Sequence, residues 1–169
     1  MTDKNRVAIE IIQSGRLNQA EKRKLVEGII SLNRQYQKIM HSHLDIPKNH
    51  VDTNEVDKYF YDMALDDPNN LFVVANDSDS IIGYAYGEIC HRYDDLVSPP
   101  FIMMNEIAID ENCCKNKIRQ ALMGKIEETA KNRKIRQITM DIHEFNKESI
   151  EACELLGFKT LIRKMIKTI

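Results

Sequence analysis

The segment from Phe101 to Ile142 constrains the fold most. An apolar run, FIMMNEIAID, is followed by KIRQALMGKIEETAKNRK and then by a second apolar run, IRQITMDI. In the middle piece Ile118, Ala121, Leu122, Ile126 and Ala130 recur at helical spacing and mark one face of an amphipathic helix. A strand, a helix and a strand in this order predict a right-handed crossover, with the two strands parallel in one sheet.

The flanking sequence extends this unit. LFVVA, NDSDS and IIGYAYGEI (Leu71 to Ile89) read as an antiparallel hairpin. Upstream, RVAIEII reads as a short strand, and Asn18 and Glu21 stand at capping-box spacing. Leu25, Ile29, Leu32, Tyr36 and Ile39 then step by three and four, as in an amphipathic helix. HSHLDIPKNH, with Pro47, breaks that helix. Asp52 and Glu55 open a second one, with Val56, Tyr59, Phe60 and Met63 on one face and DDPNN at its end. Downstream, NKESIEACELLGF predicts a short helix with Asn146 as N-cap and Gly157 as its stop, and FKTLIRKMIKTI predicts a terminal strand.

The expected order is βααβββαβαβ. This is an α/β (α+β) fold with a mixed sheet of about six to seven strands flanked by about four helices. No repeat, low-complexity tract or linker interrupts the chain, so residues 1–169 are expected to form a single domain.

Composition excludes several classes of function. Of 169 residues, 43% are hydrophobic and 30% charged, and the net charge is only −2, which gives no global support for nucleic-acid binding. Lys159, Arg163, Lys164 and Lys167 on the terminal strand read as a solvated face before they read as a nucleic-acid surface. No apolar run reaches the roughly 18–20 residues of a membrane span. The start, MTDKNRVAIEII, lacks the basic region and apolar core of a signal peptide, so the expected location is cytoplasmic.

The four cysteines, Cys90, Cys113, Cys114 and Cys153, are then reduced thiols, suited to filling small core spaces. No CxxC pair is present, and adjacent cysteines such as Cys113 and Cys114 chelate poorly. His41, His43 and His50 fall between the first two helices, with no Cys or second close His pair to join them. No metal is expected.

The corner between the apolar run and the helix, ENCCKNKIR, holds Lys115, Lys117 and Arg119 and no glycine. Cations in a first helical turn oppose the helix dipole by about 0.3–1 kcal/mol unless an anion offsets them. The corner is therefore either an anion site or a solvated turn.

The order of elements from Leu71 onward resembles the GNAT superfamily of N-acetyltransferases. The most specific piece is DIHEFNKESIEACELLGFKT, in which a strand, an Asn, a helix and a terminal Gly-Phe follow at the family's spacing. IIGYAYGEI resembles the family's hairpin strand, and NEIAID its motif strand leading into the turn. The resemblance implies acetyl-CoA as acyl donor and co-substrate, and direct transfer of the acetyl group to an amine of a small molecule or peptide. From the residues themselves, no metal, no nucleic acid and no membrane partner is expected. The pantetheine arm would pair with backbone at Ile107, Ala108 and Ile109, where the motif strand splays from IRQITMDI.

In the family the following turn carries Arg/Gln-x-x-Gly-x-Gly/Ala, and its amides hold the pyrophosphate. Here that stretch is Cys114, Lys115, Asn116, Lys117, Ile118 and Arg119. Cys114 replaces the Arg/Gln, and Lys117 and Arg119 replace the two small residues. Side chains there fill space that phosphate oxygens would use, yet they also supply charge-assisted bonds.

Asn146 matches an Asn that contacts the pantetheine arm in many members; it also reads as a plain N-cap. Cys153 stands where many members have a Tyr that protonates the leaving thiolate; it also reads as core filler. Glu106 is a candidate to take the proton from the acceptor ammonium, or a sheet-edge carboxylate in solvent. Tyr84 and Tyr86 share one face and either line the acceptor cleft or pack in the core. The altered turn and missing Tyr keep an alternative open, a catalytically weak or inactive GNAT-fold protein that binds a ligand or partner. A homodimer through the apolar terminal strand is a further expectation.

Overall fold

A computed structural model describes residues 7–43, 54–78, 80–94, 97–165 and 167. The elements are β1 (Ala8–Ile12), α1 (Gln19–His43), α2 (Asn54–Ala64), β2 (Asn70–Asp77), β3 (Ser80–Cys90), β4 (Phe101–Ile109), α3 (Lys115–Asn132), β5 (Ile138–Met140) and α4 (Lys147–Leu155). One sheet runs in the order β1-β2-β3-β4-β5. Its first four strands are antiparallel neighbours, and β5 is parallel to β4 across α3. The expected α+β architecture is present, with five strands among the described residues rather than six or seven.

The period-2 geometry of β2 explains its continuous apolar run. Phe72 and Val74 point into a core with α1 and α2, while Leu71, Val73 and Ala75 point into a second core under α3. Leu25, Ile29 and Leu32 are buried on α1 as their spacing predicts, joined by Val26 and Ile30. The capping box forms: Asn18 Oδ1 accepts from the Ala20 and Glu21 amides, and Asn18 N donates to Glu21 Oε2 at 3.0 Å.

Burial alone would lower the Lys22 pKa, but hydrogen bonds and charge from Asp66 and Asp62 outweigh it and hold the ammonium above its ordinary value. Its Nζ lies 2.9 Å from Asp66 and 3.0 Å from Asp62, which ties α1 to the end of α2.

Several expectations are corrected. On α2 the buried face is Tyr61 and Ala64, continued by Leu65, whereas Tyr59, Phe60 and Met63 are 70%, 45% and 55% exposed. The two stripes have the same helical spacing. Contacts with α1 and the sheet, including the hydrogen bonds that the Tyr61 hydroxyl accepts from Asn33 and donates to Glu106, select the stripe that carries it. The side chains of Ile39 and Val56 lie outside the described residues, as do Pro47, His50 and Asp52. His41 and His43 are in the last turn of α1, not in a loop.

On α3 the helix starts at Lys115, Ala121 is exposed, and Met123 is buried instead. IRQITMDI narrows to Ile138–Met140 as strand. Residues 158–165 form no strand. Leu161 and Ile162 are adjacent, so the segment has no alternating apolar face, and both are exposed.

Candidate active site

β4 pairs with β5 only from Ile102↔Ile138 to Met104↔Met140, then continues to Ile109 alongside β3 alone. The divergence has a local cause. Tyr86 opposes Glu106 while Gly87 opposes Met104, so Asn105 is an extra residue without a cross-strand partner. A bulge of this kind bends its strand and increases the twist. Gly87 makes the bulge sterically possible, since a Cβ there would lie 2.8 Å from Met104 Sδ and 3.1 Å from the Met103 carbonyl. β4 and β5 therefore separate beyond Met104, as the sequence resemblance anticipates, and a cleft opens between them.

Glu106, Ile107 and Ala108 line the cleft on the β4 side, and Met140, Asp141 and Ile142 on the β5 side. Asn146, Ser149 and Cys153 line it from α4, and Tyr36, Tyr84 and Arg119 complete it. The structure thus brings Glu106, Ile107, Ala108, Arg119, Asn146 and Cys153 around one opening. Ile109 is partly buried against the α3-side core rather than on the cleft lining.

Glu106 is no sheet-edge carboxylate in open solvent. Its Oε2 accepts from the Tyr84 hydroxyl at 2.6 Å and from the Tyr61 hydroxyl at 2.7 Å. The Asn33 side-chain amide donates to both phenol oxygens, at 2.7 Å to Tyr61 and 3.2 Å to Tyr84. Burial, and next the negative charge of Glu106, push both phenols well above the ordinary tyrosine range, and the same two causes raise Tyr36. Both phenols of the network are therefore held protonated, as hydrogen-bond donors.

The network has a local cost. Asn33 Oδ1 is buried without a partner among the described residues, a penalty of about 1–3 kcal/mol. Tyr84 belongs to both the core and the cleft lining. Tyr86 stacks on Phe72 at 4.5 Å, and burial together with Glu88 pushes its phenol up to about 12.

At the β4–α3 corner, Cys114 is the N-cap of α3 and makes no side-chain capping bond. The first-turn amides are therefore left without the side-chain acceptor that Asn18 and Asn146 supply elsewhere. Cys114 and Lys117 are exposed, and so is Asn116. Ile118 is buried in the α3-side core. Arg119 lies along the helix surface, with Nη1 donating to Asn116 Oδ1 at 3.1 Å and Nη2 3.8 Å from Glu148. Lys115 Nζ is 3.6 Å from the same Glu148 oxygen. The corner combines open amides with two cations that share one exposed carboxylate, a chemistry that fits an anionic group.

Asn146 caps α4 as expected, its Oδ1 accepting from the Ser149 amide at 3.2 Å, and Gly157 ends that helix at φ +88°. Cys153 is buried, with Sγ 3.7 Å from Met140 Sδ. Burial raises its thiol, against a smaller lowering by Arg119. Cys113 packs partly buried against the α3-side core, and all four cysteines are free. Among the described residues no group of three or more His, Cys, Asp or Glu converges to hold a metal, and no helix is long and apolar enough to cross a membrane.

Sequence reasoning missed Asn33, Tyr61, Tyr36, Asn105 and Ser149. A signal existed for Asn33, a polar residue four positions after Ile29 on the buried stripe of α1. Tyr61 gave none, because it fell between the residues of the wrongly chosen stripe.

Comparison with known proteins agrees with this geometry. No curated relative matches the sequence. Among solved structures, the aminoglycoside N-acetyltransferase AAC(6')-Iy in complex with CoA superimposes with a TM-score of 0.76 at 15% identity, covering 100% of this chain and 98% of that one. AAC(6')-Ih from Acinetobacter baumannii gives 0.68 at 15% identity, over 96% and 98% of the two chains. The ribosomal-protein-alanine N-acetyltransferase of Brucella melitensis biovar Abortus 2308 gives 0.64 at 11%, over 97% and 99%. At these identities the likeness is one of fold. The family model described as the acetyltransferase (GNAT) family matches residues 36–158, from the last third of α1 through the cleft to the end of α4, and on that match the chain belongs to the GNAT acetyltransferases.

Proposed function

We propose that the protein is an acetyl-CoA-dependent N-acetyltransferase that transfers an acetyl group directly to an amine of a small molecule or peptide. The observation that carries this reading is the opening between β4 and β5, with the hydrogen-bonded Glu106 carboxylate on its wall. Backbone groups at Ile107 to Ile109 are released from any β5 ladder and are available to a pantetheine arm. The α3 amides, with Lys115, Asn116, Lys117, Ile118 and Arg119 behind the Cys114 cap, would hold the pyrophosphate. Asn146 would approach the arm through its side-chain amide protons while its Oδ1 caps α4.

In the transfer itself, the amine nitrogen attacks the thioester carbon and the C–S bond breaks. Glu106 takes the proton of the acceptor ammonium, directly or through water. Cys153, kept protonated by burial, is the candidate donor to the departing thiolate. The solved relatives that act on aminoglycosides or a ribosomal-protein alanine mark the range of acceptors to test.

The proposal takes residues 1–169 as one acetyltransferase domain working in the cytoplasm without a metal, nucleic acid or membrane partner. Exposed Leu161, Ile162 and Met165 support a homodimer, which sedimentation would decide.

A second reading, a ligand-binding protein with weak or no turnover, is favoured by Arg119 and Lys115, whose charges already face Glu148 at the donor corner. Calorimetric titration with acetyl-CoA, followed by thiol release with a panel of amines, separates the two. Saturable binding with acceptor-dependent thiol release supports the enzyme, and binding without release supports the second reading. Absence of binding removes both donor-site assignments.

A further inference from the structure

Four elements send polar groups to one point. Asn33 comes from α1, Tyr61 from α2, Tyr84 from β3 and Glu106 from β4. Each phenol has a single proton, and both protons go to Glu106 Oε2. Each phenol oxygen can then only accept there, and Asn33 supplies it with an amide proton. Both phenol protons therefore point to the carboxylate, while the Asn33 amide donates to the phenol oxygens. Oε2 is taken twice, while Oε1 receives no hydrogen bond from the described residues, and Glu106 lines the cleft.

We propose that Asn33, Tyr61 and Tyr84 are positioning residues that fix Glu106 as the seat for a primary ammonium group, with Oε1 as the receiving oxygen. A protonated primary amine carries the complement of this seat, a positive charge with several N–H donors on a small head. A carboxylate held by two donors cannot swing away to follow solvent, so it meets the cation already oriented. Apolar side chains could fill the same space between α1 and the sheet without leaving Asn33 Oδ1 buried and unpartnered. The cluster is thus poorly explained as packing and well explained as a device for holding one charge in place. For its biological acceptor the proposal rests on the acetyltransferase reading, but the seat can be tested without acetyl-CoA.

The test uses the full chain labelled with 13C-carboxyl glutamate, with the Glu106 resonance identified by its loss in E106Q. n-Butylammonium chloride is the probe. Tetramethylammonium chloride, which has the charge but no N–H donor, is the control. The expected result is a saturable shift of the Glu106 resonance with n-butylammonium and none with tetramethylammonium. Y61F and Y84F should each weaken the probe at least tenfold, and Y59F, at an exposed phenol of the same helix, should match the parent. N33L should weaken it less than either, since it acts through the phenols.

Near-UV circular dichroism confirms that each variant is folded. If Y84F is not, Y61F decides alone. The proposal is overturned if the parent shows no saturable shift, if tetramethylammonium shifts Glu106 equally, or if Y61F binds as tightly as the parent. A chain that seats the probe but gives no heat with acetyl-CoA would lose the transferase reading and keep the seat.

Discussion

Arg119 Nη2 lies 3.8 Å from Glu148 Oε1, and Lys115 Nζ lies 3.6 Å from the same oxygen, so one carboxylate of α4 faces two cations at the start of α3. Glu148 is 67% exposed, which limits the strength of these pairs. An incoming pyrophosphate would compete with it for both cations. Glu148→Gln should therefore tighten acetyl-CoA binding, by at most about 1 kcal/mol. Calorimetry at low and high salt checks this, and weaker binding in the variant would show that Glu148 supports the ligand.

A second prediction concerns the cations themselves. A charge-assisted hydrogen bond is worth about 1.5–3 kcal/mol, and each 1.4 kcal/mol is about tenfold in affinity. Lys117→Ala or Arg119→Ala should thus weaken acetyl-CoA about ten- to a hundredfold. Lys125→Ala should do little, because Lys125 is engaged with Glu128 at 2.7 Å further along the helix. If both variants bind more tightly than the parent, the two side chains are obstructions and the weak-enzyme reading gains.

Glu106→Gln keeps the shape of the side chain and removes the base. It should lower kcat about 10²–10⁴-fold, the usual scale for a lost general base, and leave acetyl-CoA affinity near the parent value. Thiol release and calorimetry read the two quantities separately. Unchanged kcat would take the proton-accepting role away from Glu106.

The raised phenols predict an alkaline signature. A group whose pKa is higher in the folded state stabilises the fold fully below its unfolded value, and that contribution is lost as pH rises through the folded value. Tyr61 and Tyr84 are both raised, so stability should begin to fall as pH passes the ordinary tyrosine value of about 10. Thermal unfolding between pH 8 and 11 should show a shallower decline in the Y61F/Y84F double variant than in the parent. Equal slopes would mean that the phenols are not the groups that titrate.

Lys22→Met tests the clasp between α1 and α2. The ammonium is 7% exposed, but Asp62 and Asp66 are more than half exposed, so water can resolvate the partners once the lysine is gone. The expected loss is about 1.5–3 kcal/mol, the scale of hydrogen bonds to charged groups, read as a lowered denaturant midpoint. A neutral result would show that the lysine stem, rather than its charge, provides the contact.

Much of the fold was legible in the residues because its signals are local. The capping box at Asn18 and Glu21, the Asn146 cap, the Gly157 stop and the antiparallel hairpin of β2 and β3 each depend on neighbours in sequence, and all appear in the structure. Phe101 to Ile142 also decided a long-range feature, the parallel pairing of β4 and β5, because a strand–helix–strand path leaves the chain few other ways to bury two apolar runs.

Tertiary structure decided which of two equivalent stripes on α2 faces inward, since both have helical spacing and only contact with α1 and the sheet distinguishes them. It decided that residues 158–165 form no strand, because a strand needs an edge to join and β5 spans only Ile138–Met140. It also decided the character of Glu106. A carboxylate on a strand carries no mark of its neighbours, and the phenols that hold it lie 22 and 45 residues away in sequence. The Tyr84 bond needs β3 and β4 paired in register, and the Tyr61 bond needs α2 packed on the sheet, so no local periodicity in the sequence encodes either.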